Sequence, residues 1–236
     1  MKARKNWECV CKSKPSWTVE VVNGNWYILC EEKNQRLQIF HDDERLAGNY
    51  DLRKAYCMDV TERLWRLGFG LEMLNARINK MTKACEVVRD FLKKRSHPRF
   101  PDGLMLMGNV GCGKTWAAIA YFKARYYYLP GFLYRMPHLY LAGWDTWKEI
   151  ITGIRSHPHA LVVIDDFGAE RSTDDRWYNF LDNLINTLYE AQPELIITTN
   201  LKKDELVRKY GARIMDRIKG MVRLVELEEP SYRRVK

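Results

Sequence analysis

The sequence predicts an α/β protein: a five-stranded parallel sheet flanked by helices, preceded by a small unit built on a β-hairpin. Three features predict it. Five short, nearly all-apolar runs are separated by helical stretches, the pattern of a parallel sheet covered on both faces. A glycine-rich stretch, GNVGCGKTW (108–116), joins the first of these runs to the helix after it. Near the amino end, Asn23-Gly24 divides the alternating stretch WTVEVVNGNWYIL (17–29). Asn-Gly between two such runs is the strongest short hairpin signal, because both turn positions need positive φ.

In chain order the hairpin comes first. LRKAYCMDVTERLWRL (52–67) then reads as a helical connector, and LEMLNARINKMTKACEVVRDFLKK (71–94) as an amphipathic helical stretch ending before His97-Pro98. The five candidate strands are GLMLMG (103–108), GFLYRM (131–136), ALVVIDD (160–166), ELIITTN (194–200) and MVRLVEL (221–227). WYNFLDNLINTLYE (177–190) is the clearest helix between them. The stretch from Met136 to Ala160 has room for about one helix. Only 36 residues follow Asn200, too few for a full helical lid after the last strand.

Composition narrows the class. At 236 residues the chain is long enough for one well-buried domain with a small appendage. No apolar run reaches the ~18–20 residues of a membrane span, and the start, MKARKNWECV, lacks the apolar stretch of a signal peptide. The expectation is a cytoplasmic protein without a membrane partner, its six cysteines reduced. The formal net charge of +9 favours an anionic partner such as nucleic acid.

Chemistry concentrates at the ends of three strands. Gly108, Asn109, Val110, Gly111, Cys112, Gly113, Lys114, Thr115 and Trp116 fit G-x-x-x-x-G-K-[ST] in its strand–loop–helix context. Gly111 and Gly113 let the backbone fold tightly and aim N–H groups at phosphate oxygens, with the helix dipole behind them. Lys114 is expected to reach the β and γ phosphates of ATP, and Thr115 to ligate Mg²⁺. The second site is LVVIDDFG (161–168), a buried strand ending in two acids. Asp165 would hold Mg²⁺ through water and Asp166 would orient or deprotonate the attacking water. In the third, IITTN (196–200), Asn200 is placed to touch the γ phosphate or that water. A further stretch, GARIMDRIKG (211–220), read as a helix, sets Arg213 and Arg217 one turn apart on one face. By spacing alone the pair is either a solvated basic face or a device acting on an anion.

Taken together, GLMLMGNVGCGKT, LVVIDDFGAE, IITTNLKKDEL, GARIMDRI and the terminal SYRRV resemble the AAA+ ATPases, more narrowly the DnaC/DnaI-type replicative helicase loaders, with the IstB transposition ATPases as relatives. The likeness runs from about Asn75 onward. It implies an AAA+ P-loop NTPase core, from which the 36 residues after Asn200 depart by leaving the lid reduced or absent. It also implies ATP hydrolysis stimulated by assembly or DNA, slowed by the short side chain of Asp166, and a role in placing a hexameric replicative helicase on single-stranded DNA. By matching position, Arg217 would be an arginine finger acting on a neighbouring subunit's ATP, and Arg233 the sensor-2 arginine that touches the subunit's own. Many AAA+ proteins carry Glu where this chain has Asp166. On this reading residues 1–60 form a partner-docking domain, 61–74 a helical connector and 75–236 the ATPase domain.

The amino-terminal unit carries Cys9 and Cys11 before the hairpin and Cys30 after it, positions that in a zinc ribbon would hold Zn²⁺. The first pair is C-x-C, and a fourth ligand would have to come from His41, Cys57 or an acid. A zinc ribbon and a degenerate ribbon that docks the helicase both stay open. So do three other readings of the whole: an IstB-like transposition ATPase, a small-molecule kinase with the same loop, and a nucleotide-gated adaptor with little hydrolysis.

Overall fold

The structure is a computed structural model. It describes residues 17–22, 25–30, 35–39, 59–78, 82–94, 103–126, 129–171 and 174–232, the first three segments as strand backbone. The chain divides into two compact units, residues 1–77 and 78–236.

In the first unit, β1 (Trp17–Val22) and β2 (Asn25–Cys30) pair antiparallel, with Val22 opposite Asn25. The register leaves two residues between the strands, the connection length that Asn-Gly serves. A third strand not expected from the sequence, β3 (Gln35–Ile39), adds to β2. Helix α1 (59–66) and a 3-10 turn, Leu71–Asn75, follow. Cys9, Cys11, His41 and Cys57 lie outside the described residues, as does the side chain of Cys30.

The second unit holds a five-stranded, fully parallel sheet. Its strands are β4 (Gly103–Gly108), β5 (Gly131–Arg135), β6 (Leu161–Asp165), β7 (Glu194–Thr199) and β8 (Val222–Leu227), in the spatial order β5-β6-β7-β4-β8. Both faces are buried. Met105, Met107, Val162, Ile164, Leu195 and Ile197 join a core with α4 (Met136–Ala142), α5 (Trp144–Ser156), α6 (Asp175–Ala191) and α7 (Lys203–Met221). The alternate residues Leu104, Leu106, Leu161, Val163 and Ile196, equally buried, belong to the opposite face. That face is covered by α3 (Lys114–Tyr126), which in turn packs on α2 (Lys83–Lys94). Two-sided burial is why these strands read as continuous apolar runs rather than alternating ones.

Two stretches depart from the sequence reading. Residues 71–94 are not one helix: the 3-10 turn ends at Ala76 in extended backbone, and α2 starts after Thr82, whose Oγ1 accepts from the Cys85 N–H at 3.3 Å. Nor is there a single helix between Met136 and Ala160. Gly143, at φ 81 and ψ 178, breaks the path into α4 and α5. The break lets Trp147 turn inward, stacking on Phe180 at 4.7 Å and donating Nε1–H to the Leu139 carbonyl at 2.7 Å. Past β8, residues 228–232 carry no helix, and among the described residues none is long and apolar enough to cross a membrane.

Candidate nucleotide site

The strand order positions the site. β7 is inserted between β4 and β6, so three strand ends converge at one sheet edge: the glycine loop after β4, the acids after β6 and the threonines of β7. In the loop, Lys114 is almost wholly buried. Its ammonium donates to the carbonyls of Gly108 and Asn109, each at 2.7 Å. Val110 projects outward, 57% exposed, whereas Cys112 is buried beneath the loop. Trp116 lies in the first turn of α3.

Gly111 is glycine for two reasons. Its φ of +88 is one that L side chains rarely adopt, and a Cβ there would collide with the Ser231 side chain. The segment after β8 crosses the loop at this point: the Tyr232 N–H donates to the Gly111 carbonyl at 2.9 Å. A Cβ at Gly113 would come into van der Waals contact with the Tyr232 ring, beside Thr82 and Ala84. The loop is therefore braced from outside by residues more than a hundred positions later. Arg233, immediately beyond, lies outside the described residues.

Asp165 is buried at the centre of the edge. Its Oδ1 accepts from Thr115 Oγ1 at 2.8 Å and Thr198 Oγ1 at 2.7 Å. Its Oδ2 is equally buried and has no hydrogen-bond partner; the nearest cation is Arg135 Nε at 3.9 Å. Burial, reinforced by the neighbouring Asp166 charge, pushes its pKa up to about 6, against the opposing effect of Thr198, Thr115 and Arg135. A desolvated carboxylate oxygen without a partner, beside a threonine hydroxyl, is a hard-oxygen donor set that fits Mg²⁺. The residues that would hold the ion are thus Thr115 and Asp165.

Asp166 adopts φ 57, a left-handed conformation that aspartate tolerates better than most residues. Its N–H donates to Thr198 Oγ1 at 3.0 Å. Its carboxylate receives Arg135 Nε at 3.3 Å and an Arg135 terminal nitrogen at 3.2 Å. Arg135, the last residue of β5, had no place in the sequence reading of the site. Its only signal is a charge ending an apolar strand. Asn200 is exposed and lines an open cleft of about 460 Å³ with Gly108, Asn109 and Glu226. Thr199 instead turns inward, donating to the Phe167 carbonyl at 2.6 Å.

The arginine pair lies elsewhere. Arg217 and Arg213 both reach Asp182 of α6, at 3.3 and 3.5 Å, and Asn186 donates to the same carboxylate at 3.2 Å. The structure thus gathers the loop, Thr115, Asp165, Asp166 and Asn200 at one edge and sets Arg217 on the α6–α7 face.

A glycine loop between strand and helix, a buried acid bonded to the loop threonine, and a polar strand end inserted between them define a P-loop nucleotide-binding core. Its particular form is the AAA+ fold. No protein family and no curated protein matches this chain by sequence, but solved structures do. The chain is similar to the DnaC helicase loader (24% identity, 67% of this chain and all of that one, TM-score 0.52). It is similar to AMPPCP-bound DnaA from Aquifex aeolicus (21% identity, 65% of this chain and 49% of that one, TM-score 0.53). A primosome component from Streptococcus pyogenes serotype M3 is also similar (22% identity, 69% and 91%, TM-score 0.50).

Proposed function

We propose that this chain is an ATP-hydrolysing helicase loader of the DnaC/DnaI type, which places a replicative hexameric helicase on single-stranded DNA. The observation that carries the reading is the convergence of Thr115, Asp165 and Thr198 beside the glycine loop, in a fold that spans the whole of the DnaC chain it resembles. The ends of GLMLMGNVGCGKT, LVVIDDFGAE and IITTN meet at that edge, which supports the reading.

In this reading Lys114 exchanges the carbonyls of Gly108 and Asn109 for β- and γ-phosphate oxygens. Thr115 and Asp165 would hold Mg²⁺, which would supply charge neutralisation on the phosphates. Asn200 meets the γ phosphate or the attacking water, Asp166 accepts the water's proton, and Arg233 serves as the sensor-2 arginine. Arg217 serves the ATP of an adjoining subunit, where a guanidinium stabilises the transferring phosphoryl group. The corner between α4 and α5 offers single-stranded DNA a stacking surface: Trp144 is 59% exposed, with Lys148 Nζ 5.3 Å from its ring centre. Residues 1–60 dock the helicase. Glu31, Glu32, Asp42, Asp43 and Glu44 offset their basic residues and make that segment a poor phosphate binder.

One observation favours a second reading, the nucleotide-gated adaptor. Asp166 is already paired with Arg135, so its carboxylate oxygen is engaged within the chain rather than free to meet the attacking water. Nucleotide affinity and steady-state hydrolysis, measured separately, decide between them. Lys114→Ala is expected to abolish tight ATP binding. Asp166→Asn is expected to bind ATP and stop turnover; turnover at the unaltered rate would remove Asp166 from the chemistry. Deleting residues 1–60 should leave ATP binding intact and end co-purification with the helicase.

A further inference from the structure

The loop that follows Asp166 holds a buried charge that the proposed chemistry does not use. The Glu170 side chain is fully buried. Its Oε1 accepts from the Tyr210 hydroxyl and lies 3.2 Å from Lys209 Nζ, while its Oε2 has no hydrogen-bond partner. The same ammonium donates to the carbonyls of Gly168 at 2.6 Å and Glu170 at 2.7 Å. The Phe167 ring packs on Tyr210 at 4.8 Å. The 166–170 loop is thereby fastened to α7 on one side. On the other it is fastened to the end of β7, where Phe167 N–H meets the Thr198 carbonyl at 2.8 Å and Thr199 meets the Phe167 carbonyl.

Lys209 and Tyr210 are the last two residues before a break. Gly211 sits at φ 82 and ψ 160 and splits α7 into two rods. The Tyr210 carbonyl at the break takes a hydrogen bond from the Tyr178 hydroxyl at 3.1 Å. Beyond it the second rod carries Arg213 and Arg217. A buried ion pair is weak evidence for stability, since apolar side chains of similar volume usually do as well or better. In some proteins such a pair serves instead to select one geometry. Here it fixes the end of the first rod, at the hinge from which the arginine-bearing rod departs, to the loop that carries Asp166.

We infer that Glu170 is a positioning residue: through Lys209 and Tyr210 it ties the hinge of α7 to the loop behind Asp166, and so holds in place the arginine presented to the next subunit's nucleotide. The inference rests on Arg217 acting in a neighbouring subunit. It differs from the proposed chemistry in that Glu170 touches neither nucleotide nor water.

The experiment mixes full-length proteins and reads DNA-stimulated ATP hydrolysis. Arg217→Ala keeps a pocket and lacks the finger; Lys114→Ala lacks the pocket and keeps the finger. Their mixture should recover activity that neither shows alone. When the Lys114→Ala partner also carries Glu170→Gln, recovery should fall about a hundredfold, the loss that an ~1 Å misplacement of a catalytic group produces. Tyr210→Phe in the same partner, a milder change, should lower it in the same direction. Glu170→Gln alone should bind ATP with unchanged affinity. Full recovery with the Glu170→Gln and Tyr210→Phe partners overturns the coupling and leaves the finger standing. No recovery with Lys114→Ala itself removes the finger, and this inference with it. Loss of ATP affinity in Glu170→Gln alone would make the residue merely structural and overturn the positioning role.

Discussion

Thr198 uses its hydroxyl twice, donating to Asp165 and accepting from the Asp166 N–H. One side chain thus fixes two consecutive acids, and the arrangement leaves Asp165 with one satisfied oxygen and one bare one. The folded chain holds a proton on Asp165 more tightly than an unfolded one would, since its pKa is raised from 3.8 to about 6. This group's contribution to stability is therefore fully present below about pH 4 and is lost as pH rises through 6. Above that, the ionised carboxylate costs the nucleotide-free protein roughly 2–3 kcal/mol. Asp165→Asn should accordingly raise the melting temperature of nucleotide-free protein at pH 7.5, and the gain should vanish near pH 4. The same substitution should weaken magnesium-dependent ATP binding. Calorimetry across this pH range checks the first; an unchanged melting temperature at pH 7.5 would mean that the buried charge is compensated. Arg135 makes the complementary point. Its pairing with Asp166 joins the ends of β5 and β6, and no linear pattern announces which strands lie side by side.

Among the elements, α7 shows how one residue changes what a helix can do. Gly211 occupies a region of backbone space open essentially to glycine alone, although a methyl group there would meet only the Tyr178 hydroxyl, at 3.6 Å. Gly211→Ala should therefore cost about 1–3 kcal/mol through backbone strain rather than crowding. It should depress finger-dependent hydrolysis while sparing ATP binding; equal loss of both would place the hinge in general stability. The five strands were legible in the sequence to within a residue at most ends, because burial on both faces leaves an unbroken apolar signature. The loop and the acid pair were legible because their spacing is local. The helices fared less well. The breaks at Ala76 and Gly143 leave apolar residues on both sides at helical spacing, so periodicity runs through them. Thr82 capping α2 was the one local sign of the first break. The outer brace of the loop was invisible for another reason: Ser231 meets Gly111 only once β8 has docked beside β4.

At the scale of the molecule, charge and shape converge on one prediction. The chain carries a net +9, and the α4–α5 corner presents Leu141 at 79% and Trp144 at 59% exposure. Trp144→Ala should weaken single-stranded DNA binding by about 1–3 kcal/mol, the range for one aromatic–base stack, and leave the salt dependence unchanged because no phosphate contact is lost. Titrations of labelled oligonucleotides at several salt concentrations read both quantities; tighter binding to duplex than to single strands would favour the transposition-type ATPase. The brace on Gly111 bears on how the protein is made. Residues 108–115 are synthesised more than a hundred residues before the strand that flanks β4 and the segment that buttresses its loop. Every pairing in the sheet joins segments distant along the chain, the kind of contact that forms late. A chain interrupted before β8 would carry the complete nucleotide motif in its sequence without the outer support of its loop, so ATP capture by a nascent chain would report that translation had passed the final strand.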